Sequence, residues 1–267
     1  MSNNPAFGVV LQRLGLVGRF VAFLSPDSPQ LSVHSVSLVR SIVQAAEGSV
    51  GAGSADEAGT DGIDEHQVSE RVGALVEHME RSKAEDLYEA TLDMVSTLLY
   101  QTVSCLQDAE ASEATHATWL ARAEPILAAS SSLCALCHSQ EEHTCDTAAQ
   151  CVLLLAHLFP ADVLSPGPAV AHVAEALRIQ GATVRKRLLK TLLWVVNSGD
   201  LEAVYDAVMQ VEPVVGQLVG EEGTIGELAT DFLDALQQGG GAGRGVGHEE
   251  GEVEEEDGYG SEEFEEP

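Results

Sequence analysis

Three prolines, Pro125, Pro168 and Pro213, stand 43 and 45 residues apart, and each is followed by a short link and a second helical stretch. The second stretches are expected to begin near Thr147, Thr183 and Thr224. One, five and nine residues after each threonine the side chain is apolar: Ala148, Val152 and Ala156; Val184, Leu188 and Leu192; Ile225, Ala229 and Leu233. Proline suits the first turn of a helix, where its missing N–H would have no partner anyway. A helix pair that recurs about every 40–47 residues cannot bury its apolar face alone, so successive pairs must stack into one continuous core. The recurrence therefore predicts an all-α chain folded as an α-solenoid.

The remaining sequence agrees with helices. Alternating β-branched runs are scarce, and 45% of residues are hydrophobic while only 4% are aromatic. Such a core is built from Ala, Leu and Val, side chains that let helices pack closely. Pro5 to Leu24 reads as a first helix and Leu31 to Ala46 as a second. Residues 48–65 are rich in Gly, Ala, Ser and acids and are expected to form a disordered loop. Helices follow at about 66–80 and 83–107. The helical-repeat domain is thus expected over 1–238, with a glycine linker and an acidic, disordered tail over 239–267.

The formal charge is −30 over 267 residues, and residues 239–267 contribute −10 of it. A body still near −20 repels nucleic acid and anionic membrane surfaces. There is no run of about 18 uncharged apolar residues, so no membrane span is expected. Five cysteines, with no secretory pattern ahead of them, predict reduced thiols and a cytoplasmic location. The nucleus is the neighbouring alternative. Residues 1–26 lack acids, carry Arg13 and Arg19, and resemble a mitochondrial presequence. The preferred reading is a first helix whose apolar side continues into the fold.

The stretch Asp200–Gln238 resembles one armadillo repeat: L-E-A-V-Y-D-A-V, then V-E-P-V-V-G-Q-L-V, an acidic E-E-G turn, and T-I-G-E-L-A-T-D-F-L-D-A-L. Ala229 fills the small mid-helix position and Leu233 and Leu236 the leucine positions. The resemblance, of armadillo or HEAT type, is clearest over about 124–238. It implies a right-handed α-solenoid and a non-enzymatic scaffold or adaptor that binds another protein, with the third helix of each unit lining a concave groove.

One helix then stands out. Thr183–Asn197 together with Arg178 holds five of the thirteen Lys and Arg residues: Arg178, Arg185, Lys186, Arg187 and Lys190. Lys186, Lys190 and Trp194 share one face at i, i+4 and i+8. With Arg185 they form the candidate partner-binding set. The resemblance places Leu158, Trp194 and Ala235 where the family's groove asparagines stand, so the asparagine ladder is missing and a nuclear-import receptor is disfavoured. Lysines beside a tryptophan suit an acidic or aromatic-acidic protein segment, through charge pairing and cation–π contact. The chain's own tail, with Tyr259 and Phe264, has that chemistry and is the nearest candidate ligand.

Other chemistry is weaker. Cys134, Cys137, His143 and Cys145 have ligand types that suit tetrahedral zinc. The competing reading places Cys134 and Cys137 in the core, as small hydrophobes, with His138, His143 and Cys145 in an exposed link. The G-G-G-A-G-R-G run follows a helix and opens an acidic tail, so it is a linker and not a phosphate cradle. No nucleophile elbow, P-loop, H-E-x-x-H or kinase motif is present. No cofactor and no catalysis are expected. The alternatives to a scaffold are a small regulatory protein with a zinc-stabilised turn at 134–145, and an acidic-tail chaperone for basic clients.

Overall fold

Apolar residues at three- and four-residue spacing recur through most of the chain, and in the computed structural model they form helices. The structure describes residues 17–24, 32, 34–40, 65–82, 85–107, 112–165, 167–198 and 201–241. The expected loop at 48–65, all but its last residue, and the tail beyond residue 241 lie outside the described residues. The helices are α1 (Val17–Ala22), α2 (Glu65–Ser82), α3 (Glu85–Gln107), α4 (Glu113–Ala128) and α5 (Ser130–Leu136), then α6 (Glu142–Leu158), α7 (Gly167–Ile179), α8 (Ala182–Asn197), α9 (Leu201–Leu218) and α10 (Thr224–Gly241). Residues 34–40 are helical as well. No strand occurs among the described residues.

The helices form two layers. In one, α2, α5, α7 and α9 follow each other; in the other, α3, α6, α8 and α10 do so. Each helix of the first layer packs on its successor in the second, and α4 lies against both α2 and α3. Every neighbour along a layer comes from an adjacent unit, which defines an α-solenoid. The inter-layer space is filled by side chains such as Val152, Leu155, Val173, Leu188, Leu192 and Val215, each fully buried. Burying one such side chain contributes about 1.5–3 kcal/mol, so the stack is held by many small, repeated terms.

Local chemistry sets the breaks. Ser112 caps α4, its hydroxyl accepting from the Thr115 N–H at 3.2 Å. Glu141 caps α6, its carboxylate accepting from the Thr144 N–H at 2.6 Å. That bond and the Thr144 hydroxyl hold the Glu141 carboxyl below its ordinary pKa. Gly223 turns the chain between α9 and α10 at φ +80°, a conformation that favours glycine. Gly73 lets α2 approach α4 closely: a Cβ there would lie 2.7 Å from the Pro125 carbonyl oxygen.

Several sequence boundaries are corrected. Pro125 and Pro213 lie inside α4 and α9, not at helix starts; only Pro168 stands in a first turn. A proline's fixed φ is helical, and buried neighbours on both sides, Ala123 and Ile126 in α4 and Val211 and Val214 in α9, hold the helix through the missing donor. α4 does end soon after Pro125, and α5 resumes from Ala129. α6 begins at Glu142, ahead of Thr147, because the Glu141 cap captures the free N–H groups earlier. Gly239, Gly240 and Gly241, assigned to the linker from sequence, continue α10.

Candidate functional site

The basic helix is α8, and the fold divides its cations into two groups. Arg185 pairs with Glu221 in the α9–α10 turn at 2.8 Å and also donates to the Arg178 carbonyl at 3.1 Å. Arg187 donates to the Asp146 carbonyl of α6 at 2.7 Å, and the same nitrogen stands 2.9 Å from the Asp146 carboxylate. Arg178 pairs with Glu175 one turn away at 3.2 Å. These arginines tie α8 to its neighbours. Arg185, grouped with the lysines on sequence alone, is engaged by the next unit.

Lys186 and Lys190 are exposed, and neither makes an ion pair with any described residue. Trp194, one turn further, is 45% exposed. Its ring stacks on His157 of α6 with centroids 3.9 Å apart and planes tilted by 45°. His157 is itself exposed, and desolvation lowers its pKa, which favours the neutral imidazole. His157 carries no sequence signal of its own; only the packing of α6 against α8 brings it to Trp194. Lys186, Lys190, Trp194 and His157 therefore form a patch across two units, with an aromatic floor and two ammonium groups that no described acid pairs. Tyr259 and Phe264 lie outside the described residues.

The burial pattern fixes the register between units. Ala148, Val152 and Leu155 of α6 take the places of Leu188, Leu192 and Val195 of α8 and of Ala229, Leu233 and Leu236 of α10. The α6 counterpart of Trp194 is accordingly Leu154, a buried residue, and not Leu158. One turn separates the two assignments, the same turn by which α6 starts early.

The four zinc candidates do not converge. Cys134 and Cys137 are buried in and just after α5, and Cys145 is buried in the first turn of α6, not exposed in a link. His143 faces α3, 3.7 Å from Asp93 and 4.0 Å from Glu89. Burial pushes the Cys134 thiol up to about 12 and the Cys137, Cys145 and Cys151 thiols up as well, which keeps them protonated. Among the described residues no group of three or more His, Cys, Asp or Glu side chains is arranged to hold a metal ion. A cleft of about 1040 Å³ lies between the turns at 138–142 and 179–183. His143 and Cys145 line it, whereas Cys134 and Cys137 do not. No described helix is long and apolar enough to cross a membrane.

Two stacked layers of short helices, joined unit to unit by arginine bridges and presenting a side-chain patch along one layer, define a helical-repeat scaffold. The chain belongs to the RUNKEL ARM-repeat domain family, which matches residues 15–218. The match extends upstream of the region where the armadillo resemblance is legible in the sequence. Two solved structures are similar to this chain. An engineered protein aligns over 84% of this chain and 97% of its own, at 13% identity and a TM-score of 0.38. A designed armadillo repeat protein aligns over 82% and 98%, at 18% identity and the same TM-score. No functionally curated protein matches the chain.

Proposed function

We propose that this chain is a non-enzymatic protein-binding scaffold whose α6–α8 face captures a segment of a partner protein. The observation that carries the reading is the division of the basic helix. Its arginines are engaged in bridges, while Lys186 and Lys190 pair with no described residue and stand beside an exposed tryptophan. Trp is enriched at the energetic centres of binding surfaces, with charged groups such as lysines at their polar rim. The partner segment carries acidic residues for the lysines and an apolar or aromatic residue for the His157–Trp194 floor.

The acidic tail is the proposed regulator. α10 packs along α8 and ends at Gly241, so the tail leaves from the neighbouring helix. A random coil of eighteen residues, the number from Gly241 to Tyr259, would have a root-mean-square span of about 23 Å. Bound at the patch, the tail would be a weak intramolecular competitor that a partner displaces. The expected compartment is the cytoplasm.

The test is affinity capture with the full chain, the triple variant K186E/K190E/W194A and a chain ending at Gly241. Proteins retained by the full chain should be lost from the triple variant and enriched by the shortened one. If the triple variant retains the same proteins at the same level while folding normally, the face is not the docking surface.

A further inference from the structure

The register between units places charges on the solvent side of the α3–α6–α8–α10 layer in bands. Lys186 of α8 corresponds to Asp146 of α6, Glu89 of α3 and Glu227 of α10. Lys190 corresponds to Gln150, Asp93 and Asp231 in the same helices. Of the two α6 positions in register with the lysines, Asp146 alone is charged, and it is taken by Arg187; the exposed Glu142 lies one turn before it. At these two positions the α6 band is therefore neutral. The α3 band is acidic at Glu89, which is 72% exposed; Asp93 is shared with Arg40 and His143. The α8 band is basic, with both lysines free of ion pairs to described residues. The α10 band is acidic at Glu227 and Asp231, both exposed and in no ion pair with a described residue. Read along the layer, the order is acidic, neutral, basic, acidic.

From this banding, and resting on the reading of the face as a docking surface, we infer that the occupant is an extended partner segment of alternating charge. An acidic residue lies over α8 and basic residues lie to either side. The spacing follows from two dimensions. Packed helices stand about 8–10 Å apart. Extended chain advances about 3.3 Å per residue, so about three residues span one helix. The base over α10 is then about three residues from the central acid, and the base over α3 about six residues away on the other side. An apolar side chain one or two residues from the acid, toward α6, meets the His157–Trp194 stack. A uniformly acidic segment gains the lysines but meets Glu227 and Asp231 on one side and Glu89 on the other. Like charges at matched positions discriminate against a wrong partner as effectively as opposite charges select the right one.

The experiment is fluorescence anisotropy with the full 267-residue chain and three labelled synthetic peptides at low and physiological salt. The first has the order lysine, two neutral residues, glutamate, leucine, four neutral residues, lysine. The second exchanges every lysine and glutamate. The third is the tail sequence 248–267. The first should bind at least about tenfold more tightly than the second, the sum of a few exposed charge pairs, and more tightly than the tail peptide. K186E/K190E should narrow the difference between the first two peptides without inverting it, and E227K/D231K should favour the tail peptide. Equal binding of the first two, abolished by W194A, overturns the banding and leaves the docking face standing. A tail peptide that binds as well as the first overturns it too, in favour of a uniformly acidic occupant. Absence of binding by all three peptides, with capture unchanged in K186E/K190E/W194A, removes the docking reading itself.

Discussion

Replacing Arg187 by methionine and, separately, Lys186 and Lys190 by glutamate tests whether the two groups of cations differ in kind. Arg187 holds two oxygens of Asp146 on the neighbouring helix, at 2.7 and 2.9 Å, with 28% of its side chain accessible. A hydrogen bond to a charged group is worth about 1.5–3 kcal/mol when well buried. Solvent reaches this one, so about 1–2 kcal/mol is expected on R187M, the methionine recovering the packing of the stem. In a domain of this size that corresponds to a fall in Tm of about 3–6 °C. Lys186 and Lys190 have no such partner among the described residues. Substitutions at exposed sites of that type stay within about 0.5 kcal/mol, so K186E/K190E should leave Tm within about 2 °C of the parent. Differential scanning calorimetry at one pH and salt concentration reads both. A large fall for K186E/K190E, or none for R187M, would show that the division between bridging arginines and free lysines is mistaken. The proposed docking face would then lose the observation that carries it.

Three further measurements address the fold and the site. Gly73→Ala should destabilise the chain: its Cβ would lie 2.7 Å from the Pro125 carbonyl oxygen, and overpacking of about 1–3 kcal/mol outweighs the roughly 1 kcal/mol helix advantage of alanine. Gly216→Ala, with no atom within 4 Å of the new Cβ, should instead stabilise by about 0.5–1 kcal/mol, and opposite signs in chemical denaturation are the check. The folded-state pKa of His157 is depressed, so the unfolded chain binds the proton more readily. The stability it contributes is present above the unfolded value near 6.5 and is lost as pH falls through the folded value. His157→Gln should therefore make Tm less steep between pH 7 and 5, and an unchanged slope would refute the assignment. Iodoacetamide should modify Cys105 first in the native chain, while Cys134, Cys137, Cys145 and Cys151 react only in denaturant; rapid native labelling of Cys134 would contradict its burial.

The sequence by itself determined the class of fold. Helical periodicity is a local property, repeated every few residues, and a recurrence of helix pairs leaves stacking as the way to bury their apolar faces. The repeat in Asp200–Gln238 was legible for that reason, as were the buried faces of Val184, Leu188 and Leu192. Helix starts were less legible. Whether a turn begins at Glu142 or near Thr147 depends on which side chain reaches the free N–H groups first, and here a glutamate did so. The prolines misled for a related reason: a residue that often opens helices is also tolerated within them when packing on both flanks holds the chain.

What only the tertiary structure decided is which charges are free. Arg185, Lys186, Arg187 and Lys190 look alike in sequence, a single basic island. Their partners, Glu221 and Asp146, are 36 and 41 residues away in the chain, counting Asp146 from Arg187, and become neighbours only when the units stack. His157 reaches Trp194 by the same stacking. The charge bands across α3, α6, α8 and α10 exist only once the units are in register. Periodicity sets which side of each helix is buried; the contact between one unit and the next sets what the opposite side presents.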